Sequence, residues 1–96
     1  MVTKAKITKV SATPTFDKAI KKLHARDKKT VDDAVREIMA NANIGEAKKG
    51  DLAGVFVHKF KMNKQEVLLS YRLISADELL LLAIGAHENF YRDLKR

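Results

Sequence analysis

The sequence lacks several features that common protein classes require. It has no cysteine, which excludes disulfide bonds and thiolate metal sites and suits a reducing compartment. Its one proline and four glycines indicate neither a long linker nor a low-complexity segment. The longest apolar run, residues 79–84, is far too short to span a bilayer, and residues 1–10 do not have the apolar stretch of a signal peptide. We therefore expect a single cytoplasmic domain over residues 1–96, with no membrane association.

What the sequence has instead is an excess of positive charge. Nineteen Lys and Arg stand against twelve Asp and Glu, which gives a net charge of +7 at pH 7. Hydrophobic residues make up 46% of the chain, enough to predict a folded core. The charge does not specify a fold, but it indicates a polyanionic partner such as nucleic acid, the ribosome or an acidic protein. The alternative is a surface that is charged only for solubility.

Apolar periodicity near the N-terminus predicts two helices. Thr13 and Pro14 mark the start of the first, as a capping hydroxyl followed by proline at the first helical position. The second helix is predicted to begin after a cap at Thr30 and to end near Asn41, with residues 24–29 as a polar connector. The apolar stripes of the two helices are Phe16, Ile20 and Leu23, and Val31, Ala34, Val35, Ile38 and Met39. A short connection between amphipathic helices favours an antiparallel hairpin.

Alternation of apolar and polar residues predicts four strands. They occupy residues 5–12, 55–62, 66–74 and 79–84. The last is apolar on both faces and is therefore expected to be central. Asn63 and Lys64 are predicted to form a tight turn, and residues 88–95 a short C-terminal helix. The order β-α-α-β-β-β-α predicts an α+β fold, with an antiparallel curved sheet and the N-terminal helix hairpin packed on one face.

The face of the sheet opposite the helices, called the outer face below, is where we expect chemistry. Alternation places Lys59 and Lys61 on it, about 7 Å apart along the strand. Two ammonium groups in this arrangement suit neighbouring phosphates, whereas lysine also commonly protects the edge of a sheet. The other residues predicted on this face are Ser70, Arg72, Leu81, Ala83, Gly85 and His87.

His87, at the end of the last predicted strand, is the side chain best suited to proton transfer near neutral pH. A purely structural role, as a helix cap or a partner of Glu88, is the alternative. Tyr91 follows about one helical turn later, so its hydroxyl would face the same groove or its ring would anchor the helix. The remaining cations of the tail are Arg92, Lys95 and Arg96. They would bind phosphate or complement the helix dipole.

The other two histidines are expected to have surface and packing roles. His24 lies in the predicted connector, and His58 lies on the side of its strand that faces the helices. No two histidines have the i, i+4 spacing of a helical metal site. Neither a metal ion nor another cofactor is therefore predicted.

The chain resembles the toxins of the RelE/ParE superfamily over nearly its whole length. The resemblance rests on the helix hairpin, on the segment VHKFKM at 57–62 leading into LSYR at 69–72, and on the ending AIGAHENFYRDLKR at 83–96. The strand-Gly-x-His part of that ending is its most specific feature. The resemblance implies the toxin of a type II toxin–antitoxin system. It also implies a cognate acidic antitoxin that folds over the basic groove in a hetero-oligomer.

The RelE branch cuts mRNA in the ribosomal A site and so inhibits translation. The resemblance implies the same metal-free endoribonuclease reaction, in which the 2′-hydroxyl attacks the adjacent phosphate and leaves a 2′,3′-cyclic phosphate and a 5′-hydroxyl. His87 matches the catalytic histidine of the YafQ-like branch, and Tyr91 the aromatic residue four positions later. Lys59 and Lys61 match the basic pair of RelE on the second strand. The implied RNA-binding residues are Arg72, Arg92 and Lys95.

One position departs from the RelE pattern. Leu68 stands where RelE carries an arginine early on the third strand. Arg72 is on the same face but about 13 Å further along the strand, and Glu66 could act instead as a base or an orienting group. Two other functions remain open: a gyrase-directed toxin of the ParE branch without nuclease chemistry, and a basic RNA-binding module without toxicity.

Overall fold

A computed structural model describes residues 7–86 of the chain. Helix α1 spans Pro14–Lys21, and its predicted start is confirmed, because the Thr13 hydroxyl accepts a hydrogen bond from the Phe16 N–H at 3.2 Å. The predicted C-terminal helix at residues 88–95 lies outside the described residues.

Helix α2 spans Ala25–Ala40, so its predicted start at Thr30 is wrong. The residues predicted as a connector form its first turns, and the Lys28 N–H already donates to the His24 carbonyl at 2.9 Å. The Thr30 hydroxyl, inside the helix, donates to the Arg26 carbonyl at 3.3 Å. Apolar periodicity does not reveal the first turns of α2, because their side chains are mostly charged. The helix forms there nevertheless, since alanine, arginine and lysine are good helix formers.

The five strands form one sheet in the order β1-β5-β4-β3-β2. They are β1 (Lys9–Ala12), β2 (Glu46–Ala47), β3 (Phe56–Met62), β4 (Gln65–Ser75) and β5 (Glu78–Ala86). The pairs β2–β3, β3–β4 and β4–β5 are antiparallel, and β5 lies between β1 and β4 as an interior strand. The predicted α+β fold is confirmed.

Two features of the sheet differ from the prediction. The short strand β2 was not predicted, and β1 runs parallel to β5, so the sheet is mixed. The backbone N–H groups of Thr8 and Lys9 donate to the Asp77 carbonyl at 2.9 and 3.1 Å, which fixes β1 beside the start of β5. Local alternation identifies a strand but not its direction against a partner some 70 residues away.

The main core lies between the helices and the sheet. Its buried members are Ile7, Phe16, Val31, Ile38, Leu69, Tyr71, Leu79 and Leu81. Removal of these apolar side chains from water is the main driving force for packing the helices on one face. The opposite face of the sheet is thereby left for other contacts.

The β3–β4 hairpin ends in a two-residue turn, as predicted. Asn63 and Lys64 have φ values of 55° and 65°, the conformation of a type I′ turn. The Asn63 amide donates to the Asp27 carboxylate at 3.0 Å and accepts from the Arg26 guanidinium at 3.3 Å. The tip of the hairpin is therefore fixed against the start of α2.

A β-bulge interrupts the pairing of β4 with β5. Ser70 pairs with Ala83, but Tyr71 pairs with Leu81, so Leu82 is an extra residue on β5. Leu81 consequently faces the helices and is 5% exposed, and its predicted position on the outer face is wrong. The Leu82 carbonyl accepts a hydrogen bond from the Thr13 hydroxyl at 2.7 Å.

Candidate functional site

Two lysines project from the outer face of β3. Lys59 and Lys61 are exposed, whereas Phe60 between them packs on the helix-side core. Side chains two residues apart on a strand share a face and are separated by about 7 Å. Neither lysine makes an ion pair with another residue among 7–86. No carboxylate among residues 7–86 therefore neutralises either ammonium group.

Glu66 lies beside this pair, at the start of β4. It is the direct cross-strand partner of Lys61 and is exposed. Opposed side chains of an antiparallel pair have Cβ atoms about 5 Å apart, so the Glu66 carboxylate is within reach of the Lys61 ammonium group. The structure thus brings together three of the predicted site residues.

Arg72 is not part of this group. It is exposed, pairs with Leu80 beyond the bulge, and lies six residues along β4 from Glu66, which corresponds to about 20 Å. Its guanidinium lies beside Gly54, where a Cβ atom would be 3.8 Å from the terminal nitrogen. Arg72 therefore does not replace an arginine at position 68.

The middle of the outer face is apolar. Leu68 is 1% exposed and belongs to a second buried cluster with Val55 and Val57, against which Leu82 and Ala83 pack. Ser70 is fully buried in the same region, with its hydroxyl 3.4 Å from the Ala83 carbonyl. Leu82 was missed as a member of this cluster because the bulge, which turns it to this face, breaks the alternation.

The end of β5 lies close to the lysine pair. Ala86 pairs with Val67, the neighbour of Glu66 in sequence. The last described residue, Ala86, is therefore at the same end of the sheet as Lys61 and Glu66. The predicted site residues His87, Tyr91, Arg92 and Lys95 lie outside the described residues.

An apolar cleft opens on the helix side of the same end of the sheet. Its volume is about 200 Å³. The lining residues are Ala19, Leu23, Met62, Gln65, Val67, Ile84, Gly85 and Ala86.

Within residues 7–86, no group of three or more His, Asp or Glu side chains is placed to hold a metal ion.

His58 has a packing role, as predicted. It is 8% exposed, and its ring stacks on Phe60 with 5.9 Å between centroids. Its Nε2 lies 3.3 Å from a Glu37 carboxylate oxygen.

Neither helix α1 nor helix α2 is long and apolar enough to cross a membrane, and the described residues contain no other candidate span.

The family model described as the ParE-like toxin of type II bacterial toxin–antitoxin systems matches residues 10–95, almost the whole chain. The chain belongs to this family of toxins. Its predicted membership of the RelE/ParE superfamily is thereby confirmed. No curated protein matches the toxin in sequence.

Several solved structures share the fold of this toxin. The toxin–antitoxin complex RelBE2 of Mycobacterium tuberculosis has a chain with 21% identity and a TM-score of 0.69, covering 82% of the toxin and 96% of that chain. A mutant of the E. coli toxin RelE in the free state has 16% identity and a TM-score of 0.66, covering 92% and 95%. The intact E. coli RelBE toxin–antitoxin complex has 15% identity and a TM-score of 0.64, covering 81% and 94%. At these identities the likeness shows the fold.

Proposed function

We propose that this toxin is an endoribonuclease that cuts ribosome-bound mRNA without a metal ion and thereby inhibits translation. The observation that carries the proposal is the exposed pair Lys59 and Lys61 at the end of the sheet where β5 ends at Ala86. Two exposed lysines about 7 Å apart along a strand suit the charge of an RNA backbone. The fold shared with RelE supports the same conclusion.

The proposed reaction needs one base and one acid. The 2′-hydroxyl loses its proton and attacks the adjacent phosphorus, while the bond from phosphorus to the 5′-oxygen breaks and that oxygen gains a proton. His87 provides one of these proton transfers, a contribution on the order of 10²–10⁴ in rate. Lys59 and Lys61 stabilise the additional negative charge of the phosphorane, and this charge grows only as the reaction proceeds.

The other predicted residues would position the RNA. Glu66 orients the Lys61 ammonium group or accepts the proton of the 2′-hydroxyl, since it is the cross-strand partner of Lys61. Tyr91 stacks on a base or orients the 2′-hydroxyl. Arg72, about 20 Å from Glu66 along β4, would contact the RNA backbone away from the scissile phosphate, and Arg92 and Lys95 would do so from the tail.

A cognate antitoxin is the second proposed partner. The family is defined by toxin–antitoxin pairs, and two of the matched structures are toxin–antitoxin complexes. We propose that an acidic segment of the antitoxin covers Lys59 and Lys61 and folds on binding. Neutralisation of this pair would prevent RNA from reaching it.

Primer extension on cellular mRNA after brief induction of the toxin tests the nuclease proposal. The wild type should produce discrete cuts within codons, and Lys59→Gln/Lys61→Gln should lose them because two phosphate contacts are removed. His87→Ala should also lose cleavage and toxicity while antitoxin binding is retained. The matched control, Lys9→Gln/Lys49→Gln, removes two exposed lysines elsewhere and should cut normally. A fully toxic His87→Ala protein would refute the proposed role of that residue.

A gyrase-directed toxin without nuclease chemistry is the second candidate. Two observations favour it: the ParE-like family description and the burial of Leu68 where RelE has an arginine. Intact mRNA together with a DNA-damage response after induction would support this candidate against the nuclease. Unaffected growth would favour a basic RNA-binding module instead.

A further inference from the structure

The end of the β3–β4 hairpin extends beyond the neighbouring strands of the sheet. The last described pair of β5 with β4 joins Ala86 to Val67, and β2 pairs with β3 no further along than Val57. Residues 61–66, called the hairpin tip below, therefore have no third strand beside them within residues 7–86. A two-stranded ribbon twists more than a wider sheet and is at best marginally stable alone. Contacts outside the sheet must consequently set the direction in which the tip points.

Two hydrogen bonds join the hairpin tip to the first turn of α2. The Asn63 amide donates to the Asp27 carboxylate at 3.0 Å, and the Asn63 oxygen accepts from the Arg26 guanidinium at 3.3 Å. Asp27 is only 6% exposed, and hydrogen bonds to a charged group are shorter and stronger than those between neutral groups. Met62 also packs against the main core. Apolar contact has no preferred direction, whereas a pair of hydrogen bonds fixes one orientation.

The turn itself does not require these bonds. A two-residue type I′ turn needs a positive φ at both central residues, and asparagine adopts this conformation readily whatever its side chain contacts. A carboxylate placed under the hairpin, in contrast, costs free energy unless it is hydrogen-bonded. The nearly buried Asp27 is therefore explained by the contact between the tip and the helix, and not by the turn.

Lys61 and Glu66, two residues of the proposed site, face each other within the hairpin tip. A misplacement of about 1 Å at a catalytic group can cost about a hundredfold in rate, so the backbone that carries Lys61 has to be held in place. We propose that Asn63 and Asp27 are positioning residues, which fix the hairpin tip on α2 and thereby place the Lys61 ammonium group against the scissile phosphate. The proposal rests on the proposed function for the identity of the site. It makes the geometry of the outer face depend on a helix packed on the opposite face.

The substitution Asn63→Asp tests the anchor, since it places a second carboxylate where the amide now donates. Two carboxylates at the present separation of 3.0 Å repel each other and lose the hydrogen bond. Aspartate tolerates the left-handed conformation of this position, so the turn is retained. Cleavage of mRNA by purified toxin with ribosomes should slow by about tenfold or more. The loss should be in kcat and not in KM, because Lys61 acts on charge that grows during the reaction.

Exchange of the two side chains should restore cleavage. In Asp27→Asn/Asn63→Asp the amide lies on α2 and the carboxylate on the hairpin tip, so the hydrogen bond is kept with its direction reversed. The Arg26 guanidinium still has an oxygen to which it donates, and the net charge equals that of the wild type. The rate should return to within about threefold of the wild type, because the two positions act as a coupled pair. A double variant as slow as Asn63→Asp would overturn the proposal, since the bond between the two positions would then not set the rate.

Two controls separate positioning from charge and from stability. Asn41→Asp makes the same substitution at the other end of α2, where aspartate still accepts the Asn43 N–H, and it should cut within about twofold of the wild type. Tyr71→Phe removes two hydrogen bonds of the core away from the tip and should keep the wild-type kcat although the protein is less stable. Equal losses of cleavage in either control and in Asn63→Asp would overturn the proposal.

A measurement without RNA keeps this proposal distinct from the nuclease. Relaxation of ¹⁵N in the free toxin should give order parameters of about 0.85 for the backbone amides of residues 61–66, falling toward about 0.6 in Asn63→Asp and recovering in the exchanged variant. Unchanged order parameters in Asn63→Asp would overturn the anchor, and a loosened tip with the wild-type kcat would overturn its positioning role. If the wild type cuts no RNA, the nuclease proposal fails, and the order parameters alone then decide whether Asn63 and Asp27 hold the hairpin tip.

Discussion

Tyr71 is the residue with the most specific polar contacts in the core. Its hydroxyl donates to the Ala42 carbonyl at 2.7 Å and accepts from the Gly45 N–H at 3.0 Å, and its ring stacks on Phe56. Gly45 is required by this approach, because a Cβ atom there would lie 2.6 Å from the Tyr71 oxygen. Tyr71 thus joins β4 to the loop that follows α2.

The substitution Tyr71→Phe should destabilise the toxin. It leaves two partly buried backbone groups without a partner, and the free energy of unfolding should fall by about 1–3 kcal/mol. Urea denaturation measures the change. Thr15→Ala removes an exposed hydroxyl that bonds to no other described residue and should change the stability by less than about 0.5 kcal/mol. Equal stability of Tyr71→Phe and wild type would show that these hydrogen bonds are not maintained in solution.

Tyr71 also predicts the behaviour of the toxin in alkali. Burial raises the pKa of the Tyr71 phenol, against the smaller lowering effect of the Gly45 N–H. A raised pKa in the folded state means that the neutral phenol contributes stability fully below its unfolded pKa of about 10. That contribution is lost as pH rises from about 10 through the raised folded pKa. The free energy of unfolding of the wild type, measured in urea, should fall over this pH range. In Tyr71→Phe the part of this fall that comes from the phenol should be absent.

Lys64 occupies a backbone conformation that suits glycine better. Its φ of 65° is in the left-handed region, which costs a residue with a Cβ atom about 1–2 kcal/mol. Lys64→Gly relieves that cost but adds freedom to the unfolded chain, so the net stabilisation should be about 0.5–1 kcal/mol. Lys49→Gly, at an exposed position with φ of −124°, should instead destabilise the toxin. Thermal or urea unfolding of both variants shows whether each substitution raises or lowers the stability.

At the scale of elements, the β3–β4 hairpin and helix α2 act as one unit. Asn63 has a positive φ that glycine would accept, but its side chain bonds Asp27 and Arg26. Asn63→Gly should therefore destabilise the toxin by about 1–3 kcal/mol, because the nearly buried Asp27 carboxylate loses the hydrogen bond from the Asn63 amide. Asn63→Gly would then lower the free energy of unfolding measured in urea, whereas Lys64→Gly, at the next position of the same turn, would raise it. A stabilising Asn63→Gly would mean that the bonds to α2 contribute nothing.

The sequence predicted those elements whose pattern is local. The Thr13–Pro14 helix start, the Asn63–Lys64 turn and the alternation that exposes Lys59 and Lys61 each depend on a few neighbouring residues. The start of α2 was missed because its first turns carry little apolar periodicity, and Asp27 in particular is buried by a contact with a residue 36 positions away. The bulge at Leu82 was missed because an extra residue in a strand leaves no local signature.

At the scale of the whole molecule, Lys59 and Lys61 lie on the outer face of the sheet, and helix α1, with the exposed Lys18 and Lys21, packs on the other face. Alternation alone predicted the pair on the outer face. The burial of Asp27, in contrast, depends on its contact with Asn63, which no local pattern reveals. The apolar centre around Leu68 likewise depends on long-range pairing that composition does not reveal.

The most direct test of the account is the chemistry of RNA ends left by purified toxin acting on mRNA with ribosomes. Wild-type toxin should leave 2′,3′-cyclic phosphates and 5′-hydroxyls at discrete positions, and Lys59→Gln/Lys61→Gln should leave none. Uncut mRNA with active wild-type toxin, or equal cutting by the double variant, would contradict the claim that the outer face of β3 and β4 is a ribonuclease site.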